Sequence, residues 1–157
     1  MTIVGLGADH AGFPLKEDLK AWLIDHGYDV VDFGAQSTES VDYPDYAEAV
    51  GAAVVTGKAT CGVLVCGTGI GMAISANKVR GVRAAVAHDP YSLERSVRSN
   101  DCQVLCMGAN VIAPALARSL LASWLDHRFD PTSPSDAKVA VIRAYEARGA
   151  HDDMPEA

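Results

Sequence analysis

Chemistry-bearing residues concentrate in Cys66-Gly67-Thr68-Gly69-Ile70-Gly71. Glycines at 67, 69 and 71 permit tight turning and close approach of backbone to a ligand. A helix is expected to follow, so free N–H groups and the positive end of its dipole face whatever the loop encloses. Such a loop binds an anion, either a phosphate or a developing oxyanion. It also serves as a plain connector between strand and helix, and both readings stand on the loop alone. No Gly-Lys-Ser/Thr follows, so it is not a Walker loop. The spacing GxGxG is not the dinucleotide GxGxxG, and the loop does not open the chain. Cys66, just before the loop, is either a nucleophile or base with thiolate character, or an inert buried thiol.

These residues need elements to place them. Short apolar runs at 3–7, 30–33, 61–66, 82–87 and 104–107 read as strands. The third, Cys61-Gly62-Val63-Leu64-Val65-Cys66, is apolar throughout, as a strand covered on both faces must be. Amphipathic stretches at 14–26, 46–56, 70–78, 89–99, 113–125 and 137–148 read as helices; Pro14 sits in a first turn and Asp89-Pro90 forms an N-cap and N1 pair. Strands alternating with helices give a three-layer α/β/α Rossmann-like domain with a five-stranded parallel sheet. Periodicity leaves the strand order open. One domain over residues 1–150 is expected, with a frayed tail at 151–157. Ligands in such folds sit at the carboxyl ends of the strands. Asp9-His10, the glycine loop, His88-Asp89, Ser99-Asn100 and Gly108-Ala109-Asn110 are therefore expected along one edge.

Composition excludes several classes. The 157 residues are 49% hydrophobic and 21% charged, enough for a core without metals or disulfides. Thirteen basic against twenty acidic residues give a net charge of −7, and only Lys16, Lys20 and Lys58 precede Lys78. A nucleic-acid binder needs a basic stripe, and an anionic membrane needs a basic surface. No apolar run reaches a membrane span and no basic segment opens the chain, so the expected address is the cytoplasm. Cys61, Cys66, Cys102 and Cys106 form no CxxC and no zinc spacing.

Taken together, the ordered segments resemble the ribose-5-phosphate isomerase B / galactose-6-phosphate isomerase family. They are Gly7-Ala8-Asp9-His10-Ala11-Gly12-Phe13-Pro14-Leu15-Lys16, Asp42-Tyr43-Pro44, the glycine loop, Ala76-Asn77-Lys78, Gly81-Val82-Arg83-Ala84, Tyr91-Ser92, Ser99-Asn100 and Met107-Gly108. The resemblance implies metal-independent interconversion of an aldose and a ketose through a cis-enediolate, without a cofactor. It implies a homodimer, or a tetramer, with sites shared between subunits. In the family's cysteine branch the base corresponds to Cys66; another branch uses a Glu on the next helix, which here begins Met72-Ala73-Ile74-Ser75. By the same match Thr68 positions the base, while Asp9, His10, Tyr43 and Asn100 hold substrate hydroxyls or phosphate. Backbone N–H groups of Gly67, Gly69, Ile70 and Gly71 are suited to carry the enediolate charge.

Three places depart from the family pattern. Ser99 stands where the ring-opening His is expected, and Asn110 where an Arg follows Met-Gly. The phosphate-binding segment reads Pro131-Thr132-Ser133-Pro134-Ser135-Asp136-Ala137-Lys138, in which Lys138 is the replacement cation, with Arg128 and Arg143 as outside candidates. Three readings follow. The first is an isomerase of a sugar phosphate other than ribose 5-phosphate, such as the erythrose 4-phosphate/erythrulose 4-phosphate pair. The second is an isomerase of an unphosphorylated sugar or sugar acid. The third is a non-catalytic nucleotide-binding module.

Overall fold

The computed structural model describes residues 2–148; the expected tail at 151–157 and the domain limit at 150 lie outside the described residues. Five strands form one parallel sheet: β1 (Ile3–Ala8), β2 (Asp29–Asp32), β3 (Cys61–Cys66), β4 (Ala84–Val86) and β5 (Val104–Gly108). Their order is β2-β1-β3-β5-β4, so β3 is central and β5 passes between β3 and β4.

Side-chain alternation along the strands builds two unlike cores. Val4, Leu6, Val63, Val65, Leu105 and Met107 point to one face. There they meet Leu15, Leu19 and Leu23 of α1 (Phe13–Asp25), Leu93 of α4 (Pro90–Arg98), and Leu121 and Trp124 of α5 (Pro114–Asp126). On the other face Leu64, Cys66, Val104 and Cys106 meet α2 (Tyr43–Val55) and α3 (Ile70–Ala76) through Val50, Met72 and Ala76. This second face is lined with small residues, and α2 comes close to it: a Cβ on Gly62 would lie 2.5 Å from Val50 Cγ1. The last helix, α6 (Asp136–Ala147), buries Val139 and leaves Val141, Ile142 and Tyr145 exposed.

α2 and β4 depart furthest from the sequence reading. α2 starts at Tyr43 rather than at 46, because Pro44 fits its first turn and Asp42, extended at φ −85° and ψ 111°, leads in as N-cap. β4 is three residues, not six. Its entry is held by Asn77, whose side chain accepts from Ala84 N–H at 2.8 Å and donates to Ala84 O at 2.9 Å.

A buried charge cluster ties α1 to β2. Lys16 has no solvent exposure, and its Nζ donates to Asp32 Oδ1 at 2.7 Å, Asp32 Oδ2 at 2.8 Å and Ala35 O at 2.9 Å. Lys20 bridges Asp32 and Glu17. Burial alone would raise the Asp32 carboxyl, but hydrogen bonds from Lys16, Lys20 and Gly34 N–H outweigh it and hold the group below the ordinary carboxylate range. Among the described residues, no helix is long and apolar enough to cross a membrane.

Candidate active site

Cys66 closes β3 at the carboxyl edge and is 5% exposed. The chain then turns through Gly69, whose left-handed conformation (φ +80°) suits glycine and lets it serve as N-cap of α3. That turn brings Gly69 N–H to 3.1 Å from Cys66 Sγ. An N–H aimed at sulfur binds more strongly when the sulfur is negative. Ile70 N–H is taken by Thr68 Oγ1 at 3.3 Å. The first intrahelical bond runs from Ala73 N–H to Gly69 O, so the Gly71 and Met72 N–H groups precede it as unpaired donors of the first turn. The loop thus leads from the Cys66 sulfur into a helix start that keeps two backbone donors free of intrahelical bonds.

Three other segments close on this loop. After β1, Asp9 Oδ1 accepts Gly12 N–H at 2.8 Å, and Gly12 packs so tightly on β3 that a Cβ there would lie 2.2 Å from Val65 O and 2.9 Å from Cys66 N. His10 follows; its Nδ1 accepts Val41 N–H at 3.3 Å, which leaves the ring proton on Nε2. At the start of α2, the Tyr43 ring covers Gly71: a Cβ there would sit 2.8 Å from the ring and 3.1 Å from its hydroxyl. After β5, Ala109 N–H donates to Cys66 O at 2.8 Å and Asn110 N–H to Gly67 O at 3.0 Å. Asp9, His10, Tyr43, Cys66, Thr68, the glycines and Asn110 therefore share one edge of the sheet.

The thiols are not equivalent. Burial pushes Cys61 up to about 12, against the pull of Arg128, and Cys102 up to about 11. Complete burial also raises Cys106, helped by neighbouring Cys66 and Cys102. These three are held as neutral packing groups. Only Cys66 among the four lies in the glycine loop.

Three expected participants lie elsewhere in this chain. α4 returns antiparallel to β4, so Ser99, Asn100 and Asp101 fall at the amino ends of β4 and β5. There Arg83 Nε donates to Asn100 O and Asp101 O at 3.0 Å, and its Nη2 reaches Asp101 at 2.7 Å. Cys66 pairs with Gly108 at the far end of β5, four residues of strand or ~13 Å from Val104. The expectation that all strand-end polar residues share one edge is thus corrected: the 99–101 turn ends a helix and not a strand. Lys138 is exposed on α6. That helix is tied to the same amino edge by Arg143–Asp101 (2.9 Å) and by Gly81 N–H to Glu146 (3.3 Å). The sequence reading also missed that Gly12 and Gly108 are the contact points of the site. Their signal was a glycine just after, or at the end of, a strand at this edge.

Residues 4–142 match the family described as Ribose/Galactose Isomerase. The chain is 49% identical over 144 residues to D-erythrulose-4-phosphate isomerase 2 of Mycolicibacterium smegmatis, covering 90% of this chain and 95% of that one. It is 40% identical to ribose-5-phosphate isomerase B of Escherichia coli, with 94% and 99% covered. The solved structure of Clostridium thermocellum ribose-5-phosphate isomerase B superposes with a TM-score of 0.91 at 38% identity, covering 94% of this chain and 99% of that one. With the glycine loop, its cysteine and the sheet order in place, the chain belongs to the Ribose/Galactose Isomerase family and is an aldose–ketose isomerase of a sugar phosphate.

Proposed function

We propose that the chain interconverts erythrose 4-phosphate and erythrulose 4-phosphate, with Cys66 as the base. The observation that carries this is Ser99. Pentose and hexose phosphates rest mainly as rings and need a proton shuttle to open; serine does not supply one near neutral pH, as histidine does. A tetrose 4-phosphate carries its phosphate on the oxygen that would close a furanose, so it reacts without ring opening. The relative at 49% identity named for erythrulose 4-phosphate supports the same substrate.

In the forward direction the Cys66 thiolate takes the proton from C2 of the aldose. The C–H electron pair forms the C1=C2 bond, and the carbonyl π pair moves to O1. Gly71 and Met72 N–H groups stabilise that charge. The O2 proton passes to the neighbouring O1, the thiol returns its proton to C1, and the C2 carbonyl forms. Gly69 N–H holds the sulfur, and Thr68 steadies the loop by accepting Ile70 N–H. Asp9, His10, Tyr43 and Asn110 take the hydroxyls.

Ser99, Asn100 and Lys138 complete the site of a second copy in a homodimer. Their place on the opposite edge from Cys66 supports a shared site, because one chain does not bring them together. The cytoplasm is the proposed compartment.

Catalytic efficiencies on the tetrose and pentose pairs test the proposal. The tetrose pair is expected to lead by at least about tenfold, with inorganic phosphate competing. A preference for ribose 5-phosphate refutes the substrate assignment. Turnover that inorganic phosphate leaves untouched refutes the phosphate site.

A further inference from the structure

The loop at the end of β5 is fastened from outside the catalytic machinery. His88 Nε2 accepts Gly108 N–H at 2.8 Å. Gly108 is the last residue of β5 and the partner of Cys66 in the sheet. It also lies directly beneath the glycine loop: a Cβ there would be 2.6–2.7 Å from Thr68 C, Cα and O. The next two residues donate to Cys66 O and Gly67 O. One imidazole nitrogen thus anchors a chain of contacts that ends on the two residues leading into the catalytic turn. His88 itself is held by Ala87, whose N–H donates to Cys106 O at 3.3 Å, and by Asp89, which caps α4 through Ser92 N–H at 2.8 Å.

We propose that His88 is a positioning residue of the isomerase, acting as a neutral hydrogen-bond acceptor that fixes Gly108–Asn110 against Cys66–Gly67. Only a ring with an unprotonated Nε2 can accept this bond, so the proton sits on Nδ1. Burial lowers the pKa of His88 despite the opposing Asp89 charge, which keeps that form populated at neutral pH. The sheet edge makes this support necessary. Gly108 lies beyond Val86, the last residue of β4, so no strand on that side supplies an acceptor for its N–H. His88 takes the place of the missing ladder carbonyl.

The test compares two substitutions. His88→Phe keeps a ring and removes the acceptor. His88→Gln keeps an acceptor at the distance of Nε2. His88→Phe is expected to lower kcat about 10- to 100-fold, the effect of a sub-ångström to ångström shift of a catalytic group, with KM changed less than about threefold. The Gly108 amide is expected to exchange with solvent at least about tenfold faster. His88→Gln is expected to restore kcat to within about threefold and to restore amide protection. Wild-type kcat in His88→Phe, or equal losses in both variants, overturns the proposal. The inference rests on the Cys66 reading only through kcat. Amide exchange reports the anchor separately, so failure of the base assignment and failure of the anchor give different results.

Discussion

Replacing Lys16 by Met keeps the aliphatic stem and deletes the amine from the cluster between α1 and β2. In the native chain the amine has no exposure and lies 2.7 Å from Asp32, 2.8 Å from Glu17 and 2.9 Å from Ala35 O. Removing one partner of a buried pair costs roughly 3–5 kcal/mol, because the other charge stays behind. Lys20 at 2.8 Å and Gly34 N–H at 2.9 Å still hold Asp32, which is 17% exposed, so the low end applies: about 3 kcal/mol. In a domain of this size that lowers Tm by roughly 6–12 °C. Urea denaturation at pH 7 measures it, and a loss below about 1 kcal/mol refutes the reasoning. Asp32 adds a signature. Its folded-state carboxyl is held below the ordinary value of 3.8, so its contribution is present above that pH and is lost as pH falls through the folded value. The difference between wild type and Lys16→Met therefore shrinks on acidification below about pH 4. A second substitution, Asp32→Asn, is expected to recover part of the loss at pH 7, since neighbours in one network are not additive.

Two further outcomes test the catalytic reading. Cys66→Ser is expected to lower kcat by roughly 10²–10⁴ with the fold retained, and iodoacetamide is expected to inactivate the native chain unless substrate is present. Wild-type turnover by the serine variant rejects the base. Cys66→Ala and Asn100→Ala variants, each inactive, are expected to regain about a quarter of native activity after random subunit exchange, since half of the dimers are mixed and each has one intact shared site. No regain after verified exchange rejects the shared site.

Much of the architecture was legible because local patterns were strong. The unbroken apolar run 61–66 needed cover on both faces and has it, and Asp89-Pro90 caps a helix as its residue types require. The glycine loop stood out as a candidate site through its three glycines before a helix, although on that pattern alone a plain connector fitted equally. What escaped was long-range. Nothing in the periodicity of β4 and β5 says that the later strand lies inside the earlier one. Ser99 and Asn100 looked like neighbours of Cys66 because each follows an apolar or amphipathic segment. The direction in which α4 returns decides otherwise. The burial of Lys16 is not marked in the sequence, because it depends on Asp32 of β2, sixteen residues away, coming to meet it. His88 carried no visible signal beyond its place after a strand, since its partner is a backbone N–H twenty residues away.

The strand order also has a consequence for how this chain comes into being. β4 has one partner, β5, and β5 is made later. Val104 pairs with Ala84 on one side and Gly62 on the other, so β4 joins the sheet only through a strand that follows it in the chain. Folding must therefore set β5 between two strands that precede it in the chain, an insertion of the non-local kind that slows folding. The same insertion delivers Gly108, Ala109 and Asn110 to the carbonyls of Cys66 and Gly67. The contacts that complete the sheet therefore also fasten the two residues that lead into the glycine loop.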